Sequence, residues 1–257
     1  MQPDVFEKYP KIRRLTHVIP EEVLRRDIGA HMDEFERNLA DARSRIPAIF
    51  LGKLFPAEIE QGAIRLEKFL GHFGNLTIEE LAKLCLIISW KQPRRVLEIG
   101  TYNGMTTFNM AINAPSNCKI YTIDLPDDTL PEVPLTEMDE YISKYANAHF
   151  HTATGSYFKD RPELNITQLW GDSTTFDYSI IDGPVDVIFI DAAHDYIHKK
   201  RDTEIALKLL APGGIILWHN FDDIFCPDVT KYLAELSTTH NIYQLRDTLL
   251  AVYYNKQ

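Results

Sequence analysis

The sequence predicts an α/β fold in which helices cover both faces of a mostly parallel sheet, preceded by a helical N-terminal segment. From Arg95 onward, short apolar runs alternate with helical stretches, and this alternation is typical of βαβ units. Residues 1–90 instead show helical periodicity throughout. A turn with two glycines joins the first apolar run to the helix after it, as expected where a strand enters a helix.

The first 90 residues are predicted to form three amphipathic helices. In the first helix the apolar residues recur at steps of four, three and four: Ile28, Met32, Phe35 and Leu39. A second apolar face comprises Ile59, Ala63, Leu66, Phe69 and Leu70. The third helix opens with the capping-box sequence Thr77-Ile-Glu-Glu80 and ends near Lys91. We therefore expect an N-terminal helical extension or lid over residues 1–75 and the α/β domain over residues 76–257.

Five apolar runs are the candidate strands of the parallel part: Val96–Ile99, Lys119–Ile123, Ile166–Trp170, Val187–Ile190 and Ile215–Trp218. A proline-rich loop at residues 126–134 follows the second of them, and a helix is predicted to begin near Leu135. The tail predicts two more strands, at residues 242–245 and 248–254, joined by a tight turn at Arg246-Asp247.

Composition indicates a globular protein of the cytoplasm. The chain has 257 residues, 45% of them hydrophobic, which is enough for a sizeable core. Its longest apolar run, residues 84–90, is too short to span a bilayer, and its start lacks the apolar stretch of a signal peptide. Cys85, Cys118 and Cys226 are scattered without metal-ligand spacing, which suits a reducing compartment.

The formal net charge of −10 is unevenly distributed. Residues 1–91 carry 14 basic and 14 acidic side chains, so of the 27 basic and 37 acidic side chains in the chain, 13 and 23 belong to residues 92–257. A nucleic-acid partner requires a basic surface. We therefore expect no nucleic acid and no membrane among the partners, but a small molecule.

The glycine turn between the first strand and its helix is the first candidate binding site. Gly100 and Gly104 carry no Cβ, so a ligand can approach the main chain closely. Their spacing, Glu-x-Gly-x-x-x-Gly, differs from that of dinucleotide-binding turns and phosphate-binding P-loops. It resembles motif I of the class I S-adenosylmethionine (SAM) methyltransferases.

Acidic residues follow the next two strands, where ligands of open α/β sheets lie. Asp124 ends the second strand, 24 residues after Gly100, a position suited to binding both ribose hydroxyls; the alternative is a simple turn residue. Asp172 and Ser173 follow the third strand. The resemblance implies contacts from this pair to the adenine, and the alternative is again a turn.

A longer run strengthens the resemblance. The segments Ile190-Asp-Ala-Ala-His-Asp-Tyr196, Leu210-Ala-Pro-Gly-Gly214 and Trp218-His-Asn220 are similar to a methyltransferase type written Ile-Asp-Gly-x-His-x-Tyr, Leu-x-Pro-Gly-Gly and His-Asp. The resemblance covers residues 78–254 and implies a Rossmann-like sheet of seven strands, an antiparallel C-terminal hairpin and SAM as cofactor. The cofactor-binding residues that it implies are Glu98, Gly100, Thr101, Tyr102, Gly104, Thr106, Asp124, Asp172, Ser173 and Asp191.

Two histidines are candidates for the proton transfer that accompanies methylation. His194 lies three residues after Asp191, where the resemblance implies a general base; the alternative is that it caps the following helix. His219 is a second base candidate or a hydrogen-bond donor to the acceptor. His198, one helical turn after His194, is expected at the surface.

A divalent metal would be held by Asp191, His219 and Asn220. Catechol-type relatives have Asp-Asn at the end of the fifth strand, where this chain has His219-Asn220. Imidazole in place of a carboxylate removes a hard oxygen ligand, which disfavours Mg²⁺ and leaves a softer metal or none.

Together these features predict a SAM-dependent methyltransferase that acts on a small molecule, with a hydroxyl as the expected methyl acceptor. Three alternatives are open: an N-methyltransferase, a SAM-binding subunit without catalysis, and a nicotinamide-dependent oxidoreductase, which the glycine spacing disfavours. Parallel binding tests with SAM and NAD separate the last from the others. The N-terminal helices could also pack on a second subunit.

Overall fold

The computed structural model describes residues 21–23, 25, 29–71, 74–126, 129, 131–132, 134–135 and 153–255. The helix predicted after Leu135 and the predicted core residue Ile28 lie outside these residues, and the side chains of Met32 and Phe35 are likewise not described.

The described strands form one sheet that confirms the predicted α/β class. The strands are β1 (Ala48–Ile49), β2 (Arg95–Ile99), β3 (Lys119–Asp124), β4 (Ile166–Trp170), β5 (Val185–Ile190), β6 (Leu210–Trp218), β7 (Ile242–Leu245) and β8 (Ala251–Tyr254). Their order is β1-β7-β8-β6-β5-β2-β3-β4. Only β8 runs antiparallel to its neighbours, β6 and β7. The predicted C-terminal hairpin is confirmed, and the two-residue β1 adds an eighth strand to the seven expected.

The strand order creates one topological switch point. From β2 the chain moves outward to β3 and β4, and it then returns to place β5 on the opposite side of β2. Ligands of such sheets bind beyond the carboxyl ends of the strands at this point. The residues that follow β2 and β5 here are Gly100 and Asp191.

Helices cover both faces of the sheet. The main ones are α1 (Gly29–Arg45), α2 (Leu51–Leu54), α3 (Ile78–Lys91), α4 (Met105–Asn113), α5 (Tyr196–Leu209) and α6 (Pro227–Leu236). Successive strand residues point to opposite faces. Val96 and Val187 therefore pack with residues of α3 and α4, whereas Leu97 and Ile188 pack with residues of α1, α5 and α6.

The capping box predicted for α3 is confirmed. The backbone N–H of Glu80 donates to Thr77 Oγ1 (3.3 Å), and the backbone N–H of Thr77 donates to Glu80 Oε2 (2.9 Å). Gln92 ends the helix in a left-handed conformation just before Pro93. These bonds satisfy N–H groups that the first helical turn leaves without partners.

The prediction of a second N-terminal helix is wrong. Only Ala57–Gln61 is helical, as a 3₁₀ turn, and residues 62–70 are not. Two asparagines of α4 bind this non-helical backbone: Asn113 exchanges hydrogen bonds with Arg65 N–H and C=O, and Asn109 does so with Glu67. The apolar spacing resembled a helix, but side-chain amides satisfy the backbone instead.

The N-terminal part shares the core of the sheet. Ala42 of α1 and Ile46, which directly follows α1, are fully buried with residues of β5, β6 and α6, and β1 pairs in parallel with β7. The boundary between residues 75 and 76 stays a prediction. Across the described part of the chain, no helix combines the length and apolar character needed to cross a membrane.

Candidate active site

The glycine loop after β2 is shaped by close contacts that exclude larger residues. Gly100 has φ +101°, and a Cβ there would lie 2.2 Å from the carbonyl oxygen of Asp191. Gly104 has φ +83°, and its Cβ would lie 2.6 Å from the ring of Phe158. The loop is therefore fitted between the end of β5 and the segment that contains Phe158. Both glycines are required by packing as well as by backbone conformation.

Asp124 binds this loop directly. Its Oδ2 accepts hydrogen bonds from the backbone N–H groups of Thr101 (3.0 Å) and Tyr102 (2.8 Å), and its Oδ1 accepts one from Leu125 N–H (2.8 Å). Tyr102 adopts a left-handed conformation with φ +49°, which an L-residue rarely adopts. The carboxylate thus fixes the turn and stands at the carboxyl edge of the sheet, beside the switch point.

Glu98 lies beneath the loop rather than at its surface. It is 1% exposed, and its Oε2 accepts hydrogen bonds from the hydroxyls of Thr107 and Thr122. Burial outweighs these two bonds and, together with the charges of Asp191 and Asp124, raises the pKa of Glu98 to about 8. Glu98 therefore supports the loop from below.

The remaining loop residues continue this network. Thr101 Oγ1 bonds with Thr122 Oγ1 (2.7 Å) and accepts from Gln168 Nε2 (3.0 Å). Thr106 is half-buried in the first turn of α4. Tyr102 Oη and Gln168 Oε1 are buried, and neither has a hydrogen-bond partner in the described part of the chain. Unsatisfied buried polar atoms are costly, so a cofactor with hydroxyl, amino and carboxylate groups would fit this environment.

Asp172 and Ser173 lie after β4 as predicted, but they differ in orientation. Asp172 accepts hydrogen bonds from the N–H and hydroxyl of Thr174 and from Glu132 N–H. Although partial burial opposes it, these bonds lower the pKa of Asp172. The Ser173 hydroxyl donates to buried Asp202 (2.7 Å). Asp172 is therefore the better placed of the two for a ligand at the edge of the sheet.

His194 is half-buried in the loop between β5 and α5, three residues beyond Asp191. The sequence leaves open whether His194 caps α5. Asp195 is the cap, because its Oδ1 accepts from Ile197 N–H (2.9 Å) and His198 N–H (3.1 Å). The position of His194 at the carboxyl edge is compatible with a role in proton transfer.

His219 lies between two carboxylates. Its Nδ1 is 3.2 Å from Asp191 Oδ1, and its Nε2 is 3.4 Å from Glu80 Oε2, an ion-pair distance rather than a well-aligned hydrogen bond. Burial lowers the pKa of His219, but the two carboxylates outweigh it and raise the pKa to about 10. The pKa of Glu80 falls to about 2 despite its burial, through His219 and bonds from Leu249 and Thr77. The two carboxylates therefore favour the protonated form of the ring.

The sequence identifies Glu80 only as part of a capping box. It is 139 positions away from His219 along the chain, and no local spacing signals that contact. Only the packing of α3 against the carboxyl edge brings the two together.

The metal site predicted at Asp191, His219 and Asn220 stays a prediction. Asn220 donates through Nδ2 to Asp223 Oδ2 (2.8 Å), whereas its Oδ1, the atom that could bind a metal, is buried and has no hydrogen-bond partner among the described residues. Within the described ranges, no group of three His, Cys, Asp or Glu side chains could hold a metal ion. Asp191 and His219 contact each other.

The expectation for His198 is wrong. The side chain is 3% exposed and pairs through Nδ1 with Asp195 Oδ2. It belongs to the inward face of α5, together with fully buried Lys199 and Asp202. An inward-facing polar stretch leaves no apolar periodicity in the sequence, which explains the error.

An open cleft of about 820 Å³ adjoins the carboxylate–histidine cluster. Its walls include Arg43 of α1, Ile46 directly after α1, Glu80 of α3, and Arg246 and Leu249 of the turn between β7 and β8. Asp191 and the glycine loop are not part of its walls. Glu80 is therefore the residue that connects the cleft with His219.

Comparisons with known proteins assign the central part of the chain. Residues 97–221 match the family model described as a methyltransferase domain, which confirms the predicted methyltransferase. The chain is similar in structure to a protein from Staphylococcus aureus provisionally assigned as a caffeoyl-CoA O-methyltransferase (TM-score 0.51, 16% identity, 80% of this chain and 99% of that chain covered). It is also similar to the SAH-bound methyltransferase of Podospora anserina (TM-score 0.50, 15% identity, 88% and 96% covered). At these identities the likeness shows the fold alone.

Proposed function

We propose that this chain, whose residues 97–221 form a methyltransferase domain, transfers the methyl group of S-adenosylmethionine to a hydroxyl of a small molecule. The observation that carries the proposal is the bond between Asp124 and the glycine loop. It places a carboxylate beside a tightly fitted turn, next to the switch point where such sheets bind ligands.

The residues in and around the glycine loop have different roles in binding the cofactor. Asp124 accepts hydrogen bonds from the ribose hydroxyls, and Asp172 binds on the adenine side. Gly100 and Gly104 keep the turn narrow, while Glu98 and Thr101 hold it from below. Tyr102 Oη and Gln168 Oε1 gain the polar partners that they lack within the described residues. When bound, S-adenosylmethionine supplies a methyl group activated on a sulfonium.

His194 is the general base of the proposal. The acceptor oxygen forms its new bond to the methyl carbon as the carbon–sulfur bond breaks, and the electron pair of that bond remains on sulfur. His194 receives the hydroxyl proton. Imidazole is the side chain that enzymes use most often for such a proton transfer. His219 is less suited to the role, since Glu80 and Asp191 favour its protonated form.

Cofactor binding is tested by thermal unfolding with S-adenosylhomocysteine (SAH), the demethylated product. We expect the wild type to melt at a higher temperature with SAH, because a ligand of the folded state stabilises it. Asp124→Asn should lose most of this increase, since an amide cannot accept hydrogen bonds at both terminal atoms.

Asp186→Asn is the matched control. Asp186 Oδ2 also accepts two consecutive backbone N–H groups, from Arg94 (2.8 Å) and Arg95 (3.1 Å), but at the amino end of β2. The Asp186→Asn variant should melt at a lower temperature than the wild type yet keep the increase in melting temperature that SAH causes. If neither SAM nor SAH shifts the melting temperature, the proposal fails. A shift with NAD would then show that the domain binds a different cofactor.

The choice of hydroxyl over amine acceptors is tested with His194→Ala. Release of SAH is measured over a panel of phenols, alcohols and amines. With a hydroxyl acceptor we expect kcat to fall by about 10²–10⁴-fold, because the base is lost. An amine acceptor can lose its proton to water, so a variant that retains its full rate would assign N-methylation instead.

A further inference from the structure

The open cleft lies at the same edge of the sheet as the candidate cofactor site. Trp218 at the end of β6 pairs with Ala251 of β8, and Leu249, two residues before Ala251, lines the cleft. The carbonyl of Leu249 accepts a hydrogen bond from Phe221 N–H, in the loop after β6, at 3.0 Å. The cleft therefore lies beyond the carboxyl end of β6, on the side of β8, at the edge where ligands of such sheets bind.

Arg246 is a cation of the cleft wall that has no carboxylate partner. Its guanidinium lies over the ring of Phe50, 4.6 Å from the ring centroid, and it pairs with no carboxylate in the part of the chain that the structure describes. Phe50 is itself 55% exposed. A guanidinium stacked on an aromatic ring keeps its N–H groups directed sideways, where they fit a planar carboxylate through two parallel hydrogen bonds. The structure thus presents an arginine suited to an anionic group of a ligand.

The other charged residues of the cleft determine which anion fits Arg246. Arg43 already donates to Asp222 Oδ2, through Nε at 3.1 Å and through Nη2 at 2.7 Å. Glu80 and Asp247 add two further carboxylates to the walls. These carboxylates repel a dianion more strongly than a monoanion, because the Coulomb energy grows with the charge. A carboxylate ligand is therefore favoured over a phosphate.

The rest of the cleft suits an elongated molecule with an apolar middle part. Ile46, Ala48 and Leu249 contribute apolar walls, and the volume of about 820 Å³ lies in the range of small-molecule sites. Arg246 directly follows β7, which is three strands away from β5 in the sheet. Because neighbouring strands lie about 4.8 Å apart, a molecule that reaches from Arg246 to Asp191 has a length on the order of 10 Å.

We propose that the cleft binds the methyl acceptor, that this acceptor is an elongated carboxylic acid, and that Arg246 binds its carboxylate at the end remote from the methylated hydroxyl. The role of the bound molecule as acceptor rests on the proposed function, whereas the binding of a carboxylate at Arg246 does not. Arg246 is then a specificity-determining residue. Its contact is remote from the reacting atoms, so it stabilises the bound substrate and the transition state equally.

Carboxylate binding is tested by isothermal titration calorimetry in the absence of SAM and SAH. The probes are para-hydroxyphenylpropanoate and its amide, which has the same length and hydroxyl but no charge. We expect the wild type to bind the acid more tightly than the amide. Arg246→Gln should weaken binding of the acid by about tenfold, because a charge-assisted hydrogen bond is lost, and should leave binding of the amide unchanged.

The backbone of Arg246, which Arg246→Gln leaves in place, holds the turn between β7 and β8. Its N–H donates to Ile49 C=O at 2.9 Å, and its C=O accepts a hydrogen bond from Lys83 Nζ, so we expect the variant to fold. Arg201→Gln is the matched control, since Arg201 is an exposed arginine of α5 outside the cleft walls, and it should leave binding of the acid unchanged. Ala48→Trp places a large side chain in the cleft and should abolish binding of both probes.

Turnover with SAM tests the acceptor role, with a panel of hydroxylated aryl carboxylic acids and their amides. We expect the acids to be methylated in preference to the amides. Arg246→Gln should raise KM for the acids by about tenfold with kcat unchanged, because the lost contact is one that substrate and transition state share. A residue needed only for folding would instead affect acids and amides alike.

An acid that binds no more tightly than its amide, or that binds Arg246→Gln as tightly as the wild type, would overturn the proposal. Tighter binding of phenyl phosphate than of the acid would overturn the choice of a carboxylate. Methylation of the amides alone would overturn the acceptor role. A missing SAH shift would refute the proposed function while binding of the acid to the cleft still stands, and an SAH shift without binding of the acid would refute this inference alone.

Discussion

Gly100 shows how a single absent atom allows two strand ends to meet. A Cβ at this position would lie 2.2 Å from the Asp191 carbonyl oxygen and 2.6 Å from the carbonyl carbon. The contact is with backbone, which cannot move aside as a flexible side chain would. The close approach joins the glycine loop to Asp191, and through Asp191 to His219.

Gly100→Ala should destabilise the fold strongly. We expect a loss of about 3 kcal/mol in the free energy of unfolding, since overpacking adds to a backbone conformation unfavourable for alanine. Urea denaturation measures it. Gly213→Ala is the control: its φ is +69°, but the nearest atom is Lys91 Nζ at 3.9 Å, so only the conformational cost of about 1 kcal/mol applies. Equal losses of unfolding free energy in the two variants would contradict a steric clash at position 100.

The raised pKa of Glu98 should make the stability of the protein depend on pH. Its pKa is raised in the folded chain from 4.5 to about 8, so between these values the folded state holds a proton that the unfolded state has released. Stability therefore falls as pH rises through this range and levels off above about pH 8.

Glu98→Gln should remove this loss. Below about pH 4 the difference in unfolding free energy from the wild type should be constant, and it should grow in favour of the variant by on the order of 4 kcal/mol up to pH 9. Urea denaturation across this pH range checks the prediction, with exposed Glu58→Gln as control. A pH-independent difference would show that Glu98 is ionised in the folded state.

At the level of elements, α1 and β1 extend the domain's core rather than lying on its surface. β1 adds a parallel edge strand beside β7, and α1 packs along α6. Ala42 of α1 and Ile46, which directly follows it, belong to the same buried core as residues of α6. Arg43 of α1 also pairs with Asp222, in the loop after β6 (2.7 Å). The N-terminal part is therefore positioned to form one wall of the cleft beside Glu80.

Ile46→Ala tests whether this part unfolds together with the sheet. Ile46 is 1% exposed, so we expect a loss of about 3 kcal/mol within a single unfolding transition. Ile78→Ala, at a position 57% exposed, should change stability by less than about 0.5 kcal/mol. If Ile46→Ala shifts only an early, separate transition, residues before 76 form an independent unit, as the predicted boundary would have it.

At the level of the whole molecule, periodicity was sufficient for the sheet but not for every contact around it. Ile166–Trp170 and the capping box at Thr77 follow from local spacing, and both are confirmed. The two residues of β1 are too few to show any period. Asn109 and Asn113, which bind the non-helical segment 62–70, look like ordinary polar helix positions.

The candidate site was predictable where it follows the strand ends. Asp124 and Asp191 lie at the expected carboxyl edge because each directly ends or follows a strand. Glu80 was not predictable as a partner of His219, because their contact depends on how α3 packs. Cofactor contacts, the absence of nucleic acid among the partners and association through the N-terminal helices stay predictions.

The carboxylates of Asp124 and Asp186 hold β2 at its two ends. Asp124 comes from β3 and binds the turn after β2, and Asp186 comes from β5 and binds the residues that begin it. A slip of β2 by one residue would break both sets of bonds and turn every side chain to the opposite face. The register of β2 is therefore fixed by its two neighbours, β3 and β5. A ligand that bound Asp124 would also stabilise the register of β2. Slower amide hydrogen exchange along β2, at residues far from the ligand as well, would then indicate that the ligand is bound.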